Sequence, residues 1–218
     1  AQAQQANAEQ LEVTKASYKG QIEESRYAIF SNMFYSLLNY KHNLFTSIEM
    51  NQIIKTGTEN RRVEKRNSVQ IIRIMSHYFY TTLKKEPPVE YANFTIDELR
   101  DNFYRFGQST FEDSINTLIS YFLIYVNILN LIKKSKISEE DKLFFKSILR
   151  NSMYQDEQFI LFWIAPMFDQ MKQILEFSEI FTQFGYEEAL KEYALKHYNE
   201  SFFALQQWKI IFKERTPA

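Results

Sequence analysis

The chain contains no cysteine. That excludes disulfides, thiolate metal sites and cysteine nucleophiles. Its three histidines are scattered, so a histidine-rich zinc site has no basis in the sequence. Glycine and proline number four each in 218 residues. Sheet-rich domains consume both in turns, and their scarcity favours long helices with few connections. Neither charge sign dominates: 26 Lys and Arg face 27 Asp and Glu, a net charge of −1. The basic balance of a nucleic-acid binder is missing. The longest apolar run, Tyr121–Ile132, is interrupted by Asn127 and Asn130 and falls short of the roughly 20 residues that span a bilayer. Ala1–Gln10 is polar, unlike the apolar core of a signal peptide.

What is present is ordinary globular material. Hydrophobic residues make up 45% and charged residues 24%, enough for a sizeable core and unlike the composition of a disordered chain. Aromatics reach 17%, mostly Phe and Tyr. They recur at helical spacing, which reads as core rather than as a cofactor box or a base-stacking platform. Ala1 in place of Met, and a pattern already under way there, predict a piece of a longer protein.

The patterning predicts an all-α helical bundle behind a long, coiled-coil-like N-terminal helix. Leu11, Tyr18, Ile22, Ile29 and Met33 are spaced seven, four, seven and four apart, an a/d seam. Leu37, Tyr40, Leu44 and Ile48 continue the stripe. A helix from 5 to 54 would be roughly 75 Å long, too long for a compact domain, so its front end is expected to project or to pair with another chain. Lys55–Asn60 with Gly57 reads as a turn, and a second helix is expected over Glu59–Leu83 with Val69, Ile72, Met75, Phe79 and Leu83 on its apolar face. Arg61, Arg62, Lys65 and Arg66 alternate with Glu59 and Glu64, which suggests a solvated helix face rather than a nucleic-acid patch. Pro87-Pro88 breaks the chain. Residues 1–84 then form a helical hairpin, 85–94 a linker, and 95–218 a C-terminal bundle packed on the first part.

Within that bundle, Thr95-Ile96-Asp97-Glu98 has capping-box spacing and starts a helix that Gly107 is expected to stop. The stretch from Ser109 to Lys134 carries Ile115, Leu118, Phe122, Tyr125, Leu129 and Ile132 three and four apart, with apolar residues on the opposite face too. A helix apolar nearly all round belongs at a bundle centre. Further helices are expected over 138–151, 156–165, 167–184, 187–197 and 201–213. The apolar run Phe159–Ile164 could be a buried strand, but nothing nearby offers a partner strand.

Catalytic signatures are sparse. There is no glycine-rich phosphate loop, G-x-S-x-G elbow or H-E-x-x-H, and no cofactor or metal is expected. Arg73-Ile74-Met75-Ser76-His77 resembles, with a shortened spacing, the Arg-then-His signature of HEPN-class ribonucleases, which work at a dimer interface. The alternative is a structural His77. The stretch Ile148–Glu157 joins two apolar helices through a polar turn. It reads either as an Arg150–Glu157 ion pair with Ser152 or Asp156 as a cap, or as a ligand contact.

Tyr121-Phe122-Leu123-Ile124-Tyr125-Val126-Asn127-Ile128-Leu129, Lys142–Phe145, Leu149-Arg150-Asn151-Ser152 through Glu157, and Leu161-Phe162 together resemble the putative phage abortive infection family, the AbiC-like group. Phe30–Leu38 is similar to the Phe-rich N-terminal helix of that family. The likeness covers roughly residues 20 to 165. Ser120 stands where a His is common, Leu123 where an Arg is common, and Asn151-Ser152 where Ala-Gln is found. Any role of that His and Arg is therefore not carried over, whereas Arg150, Glu157, Tyr121 and Phe122 are, as binding residues. The resemblance implies a bacterial antiphage protein that acts through protein interaction rather than catalysis. Its partner would be a phage component or the protein itself, as a homo-oligomer through the N-terminal helix. It further implies a cytoplasmic domain tethered to the inner membrane by a segment outside this chain. The readings left beside it are a HEPN-like ribonuclease using Arg73 and His77, and a helical scaffold unrelated to phage.

Overall fold

The first element is a helix, α1 (Gln2–Ser47), about 69 Å long at about 1.5 Å per residue. Over residues 10–29 it is exposed on almost every side, and burial begins at Phe30. From there Phe30 and Phe34 pack edge-on against Phe145, each 4.7 Å between ring centres, and Phe45 lies 5.5 Å from Tyr121. Only the C-terminal part of α1 thus belongs to the bundle. The structure is a computed structural model that describes residues 2–56, 60–84, 91, 93–185 and 187–215, without the side chains of 2–9, 56, 60 and 215.

The expected helix at 59–83 is corrected. Two strands pair antiparallel instead, β1 (Glu49–Thr56) and β2 (Asn60–Asn67), with Ile53 opposite Val63 and Met50 opposite Arg66, while the expected turn at Gly57 lies outside the described residues. The charge pattern explains why. Arg62, Glu64 and Arg66 are spaced by two, which puts them on one face of a strand, and Glu64 pairs with both arginines. Gln52 accepts a hydrogen bond from Arg66 across the ladder at 2.7 Å. The hairpin is docked through Asn51, whose N–H donates to Asp113 (2.6 Å) and whose carbonyl accepts from the Glu112 N–H (2.9 Å). Helix α1 consequently stops at Ser47, short of the expected 54. The second helix, α2 (Ser68–Leu83), starts from an Asn67–Gln70 capping box. Its buried face carries Ile71, Ile72, Met75, Phe79 and Leu83, while Val69 is exposed.

Pro87-Pro88 lies outside the described residues. Just beyond it Tyr91 is buried, its hydroxyl accepting from the Trp163 indole (2.6 Å) and donating to Asn102 (3.0 Å). Helix α3 (Ile96–Thr110) has the expected Thr95–Glu98 capping box. It does not stop at Gly107. That glycine lets α3 approach the next helix: a Cβ there would lie 2.5 Å from Ile115. Helix α4 therefore begins at Asn116, not Ser109, and runs to Lys134.

Two helices form the centre. Helix α4 buries nine residues, among them Tyr121, Phe122 and Tyr125. Among the described residues it is the one helix long and apolar enough to cross a membrane, and more than half of its most apolar window is buried. Helix α5 (Glu139–Asn151) precedes α6 (Gln155–Ile164), in which every residue from Glu157 to Ile164 is buried. The choice of helix for that run agrees with the structure. Pro166 sits in a 3-10 turn, Ala165–Met167, and α7 (Asp169–Leu175) is shorter than the expected 167–184. Phe177 and Glu179 adopt positive φ of 61° and 49°, which ends helical geometry. The following segment is tied instead by Gln158, whose side-chain oxygen accepts the N–H groups of Thr182 (2.8 Å) and Gln183 (3.0 Å). Helices α8 (Glu188–His197) and α9 (Gln206–Arg215) complete the bundle. One buried apolar cluster runs from Phe30 to Trp208.

Candidate functional site

Helix geometry brings the residues of the Arg150–Glu157 turn to two different places. Tyr121 and Tyr125 are one turn apart on α4 and point the same way. Glu157 is in the first turn of α6, fully buried. Its Oε1 accepts from the Tyr121 hydroxyl and, at 2.8 Å, from the Tyr125 hydroxyl. Its Oε2 accepts the Tyr154 N–H at 2.6 Å, which caps the helix. Lys41 of α1 completes the group. It is buried, lies 3.8 Å from Glu157 and 5.0 Å from the Tyr125 ring centre, and donates to the Ser152 carbonyl at 2.6 Å. Burial lowers the Lys41 pKa against the opposing pull of Glu157. Burial raises the Tyr121 and Tyr125 hydroxyls above their usual range, and the Glu157 carboxylate adds to it.

Sequence reasoning missed Lys41, although a signal exists. Phe34, Leu38, Lys41 and Phe45 recur at helical spacing, so a lysine stands on the buried face. Phe122 is fully buried beside this group, stacked on Tyr125 at 6.1 Å. Arg150 is not there. It ends α5 and pairs with Glu179 at 3.3 Å, so the expected Arg150–Glu157 ion pair does not form. Asp156 and Ser152 do not cap α6 either: Asp156 accepts from Ser76 at 2.6 Å. Glu179 also binds Lys209. Burial pushes its carboxyl up, but Lys209 and then Arg150 outweigh that and hold it below the usual carboxylate range. Both oxygens of Glu157 are engaged by protein donors, so the buried group acts as a clasp joining α1, α4 and α6.

Arg73 and His77 lie one turn apart on the exposed side of α2. They line an open groove of about 330 Å3 together with Tyr80, Asp156 and Glu187. The Tyr80 hydroxyl donates to Glu187, which also lies 3.8 Å from Lys84. Among the described residues no group of three or more His, Asp and Glu is placed to hold a metal ion.

Among the described residues, more than half of the exposed large apolar side chains are on α1. Leu11, Tyr18, Ile22, Ile29, Met33 and Tyr40 are each exposed, from 50% at Ile22 and Met33 to 63% at Tyr18. They form a stripe about 100° around the helix from the buried one at Phe30, Phe34 and Lys41. At its C-terminal end the stripe opens into an apolar groove of about 240 Å3, between Ile29, Phe30 and Met33 of α1 and Leu131 and Ile137 beyond it. Comparison with protein-family models, curated proteins and solved structures finds no match to this chain.

Proposed function

We propose that this chain is a helical interaction module of bacterial antiphage defence, acting by binding through its long N-terminal helix rather than by catalysis. The exposed stripe on α1 carries the binding half of the reading. Most helical stability comes from packing an apolar face, and this stripe, interrupted only by Lys15 and Ser25 between Leu11 and Ile29, has no such packing within one chain, which marks a surface that meets a partner. The Glu157–Lys41 clasp suits the same reading, since it fixes the base of α1 to the bundle and leaves no free group for chemistry. The antiphage half rests on the motif resemblance, and a tether to the inner membrane goes with it. Phage challenge of cells carrying the full-length gene tests this half. Reduced plating of at least one phage is expected, and unchanged plating across a broad panel removes phage defence from the proposal.

A second reading keeps a HEPN-like ribonuclease, because Arg73 and His77 are both exposed in one polar groove. Purified protein incubated with RNA decides it. Cleavage that disappears in His77→Ala supports it, and intact RNA ends it.

A further inference from the structure

We infer that the partner of the exposed α1 stripe is a second copy of this chain, lying antiparallel and centred on Gly20. The inference rests on the binding reading above and names its partner. Between Leu11 and Ile29 the stripe is symmetric in its spacing. Leu11 and Ile29 are equidistant from residue 20, and so are Tyr18 and Ile22. An antiparallel copy turned about that point stacks Leu11 on the other chain's Ile29 and Tyr18 on its Ile22, each layer occurring twice. Gly20 itself faces away from the stripe, so it marks the height of the crossing and takes no part in the contact.

The charges select this orientation. In an antiparallel pair the same flank of each helix meets its copy. Glu12, Lys19, Glu23 and Arg26 share one flank. Rotation about residue 20 brings Glu12 beside the copy's Arg26, twice over, and sets each Lys19 between the copy's Lys19 and its Glu23. The opposite flank, with Gln10, Gln21 and Ala28, is uncharged and meets itself. A parallel, in-register pair sets the charged flank against the neutral one and forms neither ion pair.

The groove beside Ile29 fits the same arrangement. With Leu11 of the copy over Ile29, that leucine reaches the apolar opening lined by Met33, Leu131 and Ile137. Residues 10–25 of α1, which are exposed apart from the half-buried Gly20, become most of the interface.

The absence of cysteine makes crosslinking direct. Leu11→Cys and Ile29→Cys are prepared as separate proteins, and sedimentation gives the mass of the wild-type chain. The expected mass is twice 26.2 kDa. On oxidation the mixture of the two variants should form a disulfide-linked pair while neither forms one alone, since the two positions are about 27 Å apart along the helix. Crosslinking of either variant alone means a parallel pair and overturns the inference, as does a wild-type chain that stays monomeric at 100-fold dilution steps up to about millimolar. Ile22→Asp, at an exposed position, should halve the mass while the bundle keeps its cooperative thermal unfolding. A monomeric wild type whose Ile22→Asp variant still loses phage protection defeats the self-pairing and spares the binding reading. A dimer that Ile22→Asp dissolves without loss of protection does the reverse.

Discussion

Replacing Lys41 with methionine tests the clasp at the base of α1. Methionine keeps most of the length of the stem and removes the charge. Glu157 is then a fully buried carboxylate with two tyrosine hydroxyls and the Tyr154 N–H but no cation. Breaking a buried ion pair from one side costs about 3–5 kcal/mol. The three remaining donors place this case at the low end, about 3 kcal/mol, a large fraction of a total near 5–15 kcal/mol. At about 2–4 °C per kcal/mol for a chain of this size, the midpoint of thermal unfolding falls by about 6–12 °C. Glu157→Gln keeps an acceptor for the tyrosines and leaves Lys41 with the Ser152 carbonyl, so it costs about 2–3 kcal/mol on the same grounds. The double variant buries no charge. Its cost should fall about 2–3 kcal/mol short of the sum of the singles. Urea unfolding followed by circular dichroism measures all four proteins. Additive costs, or a Lys41→Met cost below about 1 kcal/mol, would refute the reasoning.

Three further outcomes are expected. His197 is buried with its Nε2 lacking a partner, and burial, then Lys196 and Lys172, push its pKa down to about 4. The folded state therefore resists protonation, and stability is lost as pH falls from about 6.5 to about 4, by at most about 3 kcal/mol; His197→Phe should flatten that part of a pH series, and an unchanged slope would count against it. Gly107→Ala drives a Cβ to 2.5 Å from Ile115 and should destabilise by about 1–3 kcal/mol, with Ile115→Val recovering part of it in denaturant titration. Asn67→Ala removes the cap that turns the hairpin into α2 and should cost about 0.5–2 kcal/mol, whereas no change would mean that the cap is dispensable.

The helical bundle and its long leading helix were legible because periodicity and the scarcity of glycine and proline report local structure directly. The Thr95–Glu98 box is legible for the same reason. The hairpin is less legible, since the charges of Arg62, Glu64 and Arg66 suit a solvated helix face as well as a strand, and only their period of two favours the strand. The segment after α7 was overextended because positive φ at Phe177 and Glu179 leaves no trace in residue types that disfavour it. At the candidate site, Tyr121 and Glu157 do meet, yet their partner Lys41 is more than a hundred residues from Glu157 in sequence. Pairing across such a distance depends on packing, and Arg150, seven residues from Glu157, turns instead to Glu179.

The central claim is that the exposed stripe on α1 is the surface through which this chain acts. Cells carrying the full-length gene, wild type or with Ile22→Asp and Ile29→Asp together, are challenged with a phage that the wild type restricts. Both positions are exposed, so the bundle keeps its fold, which circular dichroism checks. The account predicts that the paired substitution restores plating to the level of cells without the gene. Full protection by a folded, normally accumulated double variant would contradict it.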